Sequence, residues 1–254
     1  MTHIDELIGP MERGAREWIG TLTAVAAVNV GAAVGLAAGG LHGDRRLAVS
    51  TCAAGLQTAL ALAGVRLRVI GEHNLWGARP AVFVMNHQSA LDAMVMGALV
   101  RHDFTAAGKK ETKYDPRTAL LSRALDIVFL DRSNTARDRQ EMGKLVERLR
   151  GGTSVLVAPE GTRTPTPVLA PFKKGAFHVA LQAKAPVVPV VLRNTGELMP
   201  RGANTIRPGT VDVCVLDPVP TCDWTVDDLG ERVAALHRRF AETLDHWPGS
   251  EVTA

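Results

Sequence analysis

The pattern of apolar and polar residues along the chain changes at about residue 65. Before that point, no Asp, Glu, Lys or Arg lies between Glu17 and Asp44, and a second uncharged run extends from Leu47 to Val65. Apolar runs of this length are too long for strands, which usually contain about 4–8 residues. The pattern therefore predicts an N-terminal apolar helical hairpin within residues 1–64.

From residue 65 onward, short apolar runs typical of strands alternate with helical patterns. The runs predicted as strands are VRLRVIG, RPAVFVMN, DFTAAG, DIVFLD, TSVLVA, APVVPVVLRN and TVDVCVLD. The predicted helices are Leu91–Val100, PRTALLSRAL from Pro116, TARDRQEMGKLVERLRGG, KKGAFHVALQAK and a C-terminal helix capped by Thr225. This alternation predicts an α/β fold, in which a layered, mixed and mostly parallel sheet is flanked by helices.

The composition is that of an ordinary globular protein, with 46% hydrophobic and 22% charged residues among 254. The net charge of +3 is too small to indicate nucleic-acid binding. Three cysteines, Cys52, Cys214 and Cys222, form no CxxC pair, which indicates a reducing compartment and no structural zinc. We therefore expect no nucleic-acid partner and no metal.

The N-terminal hairpin has two interpretations. About 20 apolar residues can span a bilayer as a helix, and two such helices could dip into one leaflet with Arg45 and Arg46 near lipid phosphates. The runs are also rich in Ala and Gly, which suits a buried hairpin that covers the core of a soluble domain. Asp5, Glu6 and Glu12 precede the first run, so a cleaved signal peptide is not indicated.

The stretch VMNHQSALDAM contains a histidine and an aspartate where a predicted buried strand meets a predicted helix. The helix N-terminus helps to keep His87 neutral, as a general base requires. Asp92 on the first helical turn could fix the imidazole tautomer and stabilise its cation. The competing interpretation is a capping box, in which Ser89 caps the helix and Asp92 reaches back to the Ser89 amide. The spacing alone does not decide between the two.

Further polar and charged residues follow other predicted strands. They are Glu160, Gly161, Thr162 and Arg163 after TSVLVA, Lys109 after DFTAAG, and Arg132 after DIVFLD. Read alone, PEGT is also a good turn and the single charges suit solvated positions. Together with His87, however, these residues would meet at the carboxyl edge of one sheet, where open α/β sheets bind ligands. A base among cations suits an acceptor that carries a hydroxyl and a phosphate.

In this order and at this spacing, the motifs resemble those of the glycerolipid acyltransferases, particularly the 1-acylglycerol-3-phosphate (lysophosphatidic acid) acyltransferases. The resemblance covers residues 65–194. The motif NHxxxxD stands at residues 86–92, a strand end that closes on Arg at residues 129–132, PEGTR at residues 159–163, and an apolar strand with a central proline at PVVPVV.

The resemblance implies transfer of a fatty acyl group from acyl-CoA or acyl-carrier protein to the hydroxyl of 1-acylglycerol 3-phosphate, giving phosphatidic acid. No cofactor and no acyl-enzyme would be involved. His87 would act as general base and Asp92 would hold its ring, whereas Arg132, Lys109 and residues 160–163 would bind the acceptor. It also implies a membrane-associating hairpin (residues 1–64) that precedes an acyltransferase domain (residues 65–254) at the cytoplasmic face of the inner or plasma membrane.

One departure from the family pattern lies in KKETKYDP, where the family has K-x-E-Leu and this chain has Thr112. The acceptor is therefore open, and glycerol 3-phosphate or another lyso-lipid is an alternative. A serine esterase that uses Ser89 is a second alternative, although the GxSxG elbow is missing. A lipid-binding protein without catalytic activity is a third, and the intact pair of His87 and Asp92 argues against it.

Overall fold

The computed structural model describes residues 14–115, 118–131, 135–164 and 168–249, and within these residues seven strands form one sheet. The strands are β1 (Val65–Ile70), β2 (Val82–Met85), β3 (Phe104–Lys109), β4 (Val128–Leu130), β5 (Ser154–Val157), β6 (Val187–Leu192) and β7 (Gly209–Val215). Their order is β1-β7-β6-β2-β5-β3-β4. Every neighbouring pair is parallel except β6 and β7. The expected mixed, mostly parallel sheet is therefore confirmed.

Helices cover both faces of this sheet. They are α1 (Ala15–His42), α2 (Arg45–Leu62), α3 (Asn74–Gly77), α4 (Leu91–Val100), α5 (Ala119–Ala124), α6 (Thr135–Arg150), α7 (Gly175–Ala183), α8 (Thr195–Leu198) and α9 (Leu229–Asp245). The expected start of α5 at Pro116 lies outside the described residues. α9 begins one turn later than expected, because Thr225 and Asp228 exchange hydrogen bonds of 2.8 and 3.3 Å around the turn that leads into it.

β2 shows why a central strand carries a continuous apolar run. Phe83 and Met85 belong to the core cluster that includes α2 and α4, whereas Val82 and Val84 belong to the cluster that includes α7 and α9. All four side chains are buried. A strand buried on both faces has no polar side to expose, so its sequence does not alternate.

The helices α1 and α2 approach each other through glycines. A Cβ atom on Gly31 would lie 2.8 Å from the Gly55 Cα, and one on Gly35 would lie 2.7 Å from the Ala48 carbonyl oxygen. Only a residue without a side chain allows backbones to come this close. The glycine content of the first run therefore serves the contact between the two helices.

The two helices of the hairpin differ in exposure. α2 packs on α4 and buries Val49, Leu56 and Leu60 in the core beneath the sheet. Among the described helices, α1 alone is long and apolar enough to cross a membrane, and only 28% of its most apolar window is buried. Its exposed large side chains are Trp18, Ile19, Leu22, Val25, Val30, Val34 and Leu41. Thus α2 is a core helix, while α1 presents an apolar outer face.

The turn of the hairpin is fastened to the amino end of β3. The Arg45 guanidinium donates to the carbonyl oxygens of Phe104 at 3.0 Å and Leu125 at 3.3 Å. Arg46 forms an ion pair of 3.1 Å with Asp103. The half-buried Arg45 side chain thus binds the protein at this turn, while the placement of Arg45 and Arg46 near lipid phosphates stays a prediction.

Candidate active site

Parallel strands bring the expected site residues to one edge of the sheet. His87 follows β2, residues 160–163 follow β5, and Lys109 is the last residue of β3. These strands are neighbours in the order β2-β5-β3, about 4.8 Å apart, so their carboxyl ends lie side by side. Arg132, two residues beyond β4, lies outside the described residues.

His87 and Asp92 form a hydrogen-bonded pair. The distance from His87 Nδ1 to Asp92 Oδ2 is 2.7 Å, and the carboxylate is fully buried while the imidazole side chain is 23% exposed. A carboxylate accepts a hydrogen bond, which assigns the proton to Nδ1 and leaves a lone pair on Nε2. Nε2 makes no hydrogen bond with the described residues. The ring can therefore accept a proton from a ligand at the edge of the sheet.

The Asp92 carboxylate is also the acceptor that organises the start of α4. Its Oδ2 accepts the backbone N–H groups of Gln88 and Ser89, each at 2.8 Å, and its Oδ1 accepts the Thr195 hydroxyl. Such donors offset the cost of burying an ionised group. The catalytic and capping interpretations of this spacing are thus compatible, because one oxygen serves His87 and the Ser89 amide together.

Ser89 has a local role in this turn. Its hydroxyl accepts the Leu91 N–H at 3.1 Å, the first amide of α4, and donates to the Met199 carbonyl oxygen at 2.6 Å. The residue is fully buried. With its proton given to a carbonyl and no bond to the imidazole among the described residues, the hydroxyl is not arranged as a nucleophile.

The PEGTR segment holds the backbone of His87. Glu160 Oε1 accepts the His87 N–H at 2.6 Å, and Oε2 accepts the Ala170 N–H at 2.9 Å. On the other side, Thr164 N–H donates to the His87 carbonyl oxygen at 2.9 Å. Glu160 was expected to contact substrate, but it is 3% exposed and both of its oxygens bind backbone amides. In this structure it positions the base.

The remaining residues of the segment face outward. Gly161 has φ +77°, a conformation that favours glycine. Thr162 is exposed, and Arg163 is half-buried without a hydrogen bond or ion pair to the described residues. Lys109 is half-exposed, and its Nζ forms only a long ion pair of 3.7 Å with Oε2 of Glu111. Arg163 and Lys109 are therefore cations available to an anionic ligand.

Sequence reasoning missed Thr195 and missed the role of Asn86, although the NHxxxxD motif includes this residue. The Asn86 amide donates to the Leu192 carbonyl oxygen and accepts the Leu192 N–H, both at 2.8 Å, which joins β2 to β6 just before His87. Thr195 reaches Asp92 from the end of β6. The available signal for Thr195 was the polar segment that begins at Arg193, directly after the buried strand β6, the same kind of signal that located the other site residues.

Comparisons with known proteins show which proteins this chain is similar to. A family model described as acyltransferase matches residues 66–193. The 1-acyl-sn-glycerol-3-phosphate acyltransferase of Saccharomyces cerevisiae is 36% identical over 184 residues, covering 71% of this chain and 60% of the yeast protein. The human 1-acyl-sn-glycerol-3-phosphate acyltransferase beta is 34% identical over 184 residues, covering 72% and 66%. The chain thus spans about three fifths to two thirds of the length of these relatives.

A solved structure matches most of the chain. The crystal structure of the 1-acyl-sn-glycerophosphate acyltransferase of Thermotoga maritima aligns with a TM-score of 0.71 at 25% identity. The match covers 90% of this chain and 98% of the Thermotoga chain, so it includes the hairpin region as well as the sheet.

Proposed function

This chain belongs to the acyltransferase family, and from that premise we propose that it transfers a fatty acyl group from an acyl thioester to the free hydroxyl of 1-acylglycerol 3-phosphate, giving phosphatidic acid. The observation that carries the proposal is the pair of His87 and Asp92 at the carboxyl edge of the sheet, with Nε2 making no hydrogen bond to the part of the chain that the structure describes. The matching relatives bear this activity in their names.

In the proposed reaction, Nε2 of His87 removes the proton of the acceptor hydroxyl. The hydroxyl oxygen attacks the carbonyl carbon of the thioester at the same time. Asp92 stabilises the imidazolium that forms. The tetrahedral intermediate then breaks its C–S bond, and the leaving thiolate takes the proton from the imidazolium to give a free thiol. The acyl group passes directly to the acceptor, and general-base catalysis of this kind contributes roughly 10²–10⁴-fold.

The cations at the carboxyl edge of the sheet would position the acceptor by binding its phosphate. Arg163 and Lys109 would bind the glycerol phosphate together with Thr162 and the Gly161 backbone, and Arg132 would join them from the end of β4. An Arg fork matches phosphate oxygens with two parallel hydrogen bonds. The donor is acyl-CoA or acyl-carrier protein, and the reaction needs no cofactor.

We also propose that the hairpin, residues 1–64, is a membrane-associating unit in front of an acyltransferase domain of residues 65–254. The exposed apolar face of α1 supports this placement, and lipid substrates require access to a bilayer. The site would then work at the cytoplasmic face of the inner or plasma membrane, where acyl-CoA and acyl-carrier protein are available.

The test is incorporation of labelled acyl-CoA into lysophosphatidate by wild type, His87→Ala and His73→Ala. His73 is exposed and away from the edge, so it controls for loss of a histidine. We expect wild-type activity in His73→Ala and loss of roughly 10²–10⁴-fold in His87→Ala. Equal rates in all three proteins would contradict the mechanism.

The alternatives have separate tests. Glycerol 3-phosphate and other lyso-lipids are compared with lysophosphatidate in one acceptor panel with mass-spectrometric identification of products. A serine esterase would lose nearly all activity in Ser89→Ala, whereas we expect this variant to keep about a tenth or more, since it loses only a cap and one buried hydrogen bond. A lipid-binding protein would turn over no donor with any acceptor.

A further inference from the structure

We propose that Thr195 is a positioning residue for the pair of His87 and Asp92, a role that rests on the function proposed above. Thr195 begins α8, three residues after the end of β6. Its hydroxyl donates to Asp92 Oδ1, the carboxylate oxygen that His87 does not use. Thr195 and Asp92 are both fully buried.

The two oxygens of Asp92 are held from different directions. Among the described residues, the donors to Oδ2 come from three consecutive residues, 87–89, in the turn before α4. The donor to Oδ1 is Thr195, at the start of α8. Two separate segments therefore hold the two oxygens, and the orientation of the carboxylate in turn sets that of the imidazole.

Thr195 itself is rigidly placed. On one side, the Asn86 side chain binds both backbone groups of Leu192 at 2.8 Å. On the other side, the Met199 carbonyl oxygen accepts the Ser89 hydroxyl at 2.6 Å. The segment 192–199 is therefore joined to the turn that carries His87 both before and after Thr195, which suits an orienting role.

The hydroxyl also disperses the charge of Asp92, because a hydrogen bond to an ionised carboxylate spreads its charge onto the donor. Glu160 faces the pair as well, through the His87 amide, and a change at Thr195 leaves that contact in place.

The test compares Thr195→Val with two reference variants. Valine keeps the shape and removes the donor, so we expect kcat to fall roughly 10-fold or more with little change in KM, because the lost contact acts on the base and not on substrate binding. Thr195→Ser restores the hydroxyl and should recover most of the activity. Thr221→Val is the matched control, since Thr221 is buried and its hydroxyl donates to the Ala185 carbonyl oxygen at 3.0 Å, away from the site.

A second readout is independent of turnover. The Nδ1 proton resonance of His87, which reports its hydrogen bond to Asp92, is recorded by NMR in the full-length wild type and the three variants, and we expect it to move in Thr195→Val alone. If wild type acylates no acceptor, the proposed function fails while this spectrum still decides the role of Thr195. An unchanged resonance in Thr195→Val, or a kcat in Thr195→Val equal to that in Thr221→Val, would overturn the proposal.

Discussion

The backbone N–H of His87 donates to Oε1 of Glu160 at 2.6 Å, a contact between residues 73 positions apart in the chain. The ring of His87 is held by Asp92, which is five positions away. The base is therefore oriented by its own turn and located by the PEGTR segment after β5. Two motifs that are distant in sequence act on one residue.

Glu160→Gln tests the location of the base. It replaces one acceptor oxygen by an NH₂ group that faces a backbone N–H, so the bond to His87 or to Ala170 is lost. We expect the free energy of unfolding to fall by about 1–3 kcal/mol and kcat to fall as well, measured by urea denaturation and acyl transfer. Glu242→Gln, at an exposed position on α9, should change neither quantity.

The same variant has a signature in pH dependence. Burial raises the pKa of the Glu160 carboxyl, and the amide hydrogen bonds of Ala170 and His87 offset this only in part. The stability that comes from its protonation is present below the unfolded pKa of about 4.3 and is lost as the pH rises through the raised folded pKa. The unfolding free energy of wild type should therefore decline with pH across this window relative to Glu160→Gln. Parallel curves would contradict a raised pKa for this buried carboxyl.

Asp92→Asn tests the orienting carboxylate. The amide keeps the size of the side chain, but its NH₂ group would face donors at Oδ1 or Oδ2, and the preferred imidazole tautomer is lost. We expect kcat to fall by roughly 10³–10⁴-fold in the acyl-transfer assay. Asp212→Asn makes the same change at a buried carboxylate that pairs with Arg68, so it should lower stability and leave most of kcat intact.

Arg163 is expected to recognise the phosphate of the acceptor. Arg163→Ala should raise KM for lysophosphatidate about 10- to 100-fold, and Arg163→Lys should lie between, since lysine lacks the planar fork. A neutral acceptor, monoacylglycerol, separates phosphate recognition from general damage because its rate should be unaffected. An equal loss with both acceptors would mean that Arg163 does not bind the phosphate.

The outer face of α1 is expected to bind the bilayer. Ile19, Leu22 and Val30 are each more than 60% exposed, so the triple serine variant should fold normally. We expect its partition into lipid vesicles to fall by at least about 100-fold, given the apolar area that each side chain would otherwise insert. Serine at Val168 and Val226, which are equally exposed outside α1, is the matched control. Unchanged co-sedimentation of the triple variant would exclude this face.

The contact between α1 and α2 predicts opposite effects of one substitution at two glycines. Gly31→Ala places a methyl group 2.8 Å from the Gly55 Cα and should destabilise the protein by about 1–3 kcal/mol. At Gly40, also inside α1, nothing lies within 4 Å of an added Cβ, so Gly40→Ala should stabilise the helix by up to about 1 kcal/mol. Thermal unfolding of the two variants checks the sign of each change.

The sequence by itself determined those features that depend on residues close together in the chain. The continuous apolar run of β2 identified a strand buried on both faces. The five-residue spacing of His87 and Asp92 placed both groups at one strand-to-helix turn. Because parallel strands end at a common edge, the order of strands and helices also predicted that His87, Lys109 and residues 160–163 would converge.

Contacts between distant segments were decided by the tertiary structure. Thr195 and Asp92 are 103 positions apart, and a single buried hydroxyl has no periodic signature in a sequence. The role of Glu160 could not be predicted either, since a carboxylate at the end of a strand can bind a substrate or a backbone amide equally well. The sequence also could not distinguish the two helices of the hairpin, since both runs are uncharged and rich in alanine. The packing of α2 on α4 makes α2 a core helix and leaves the outer face of α1 exposed.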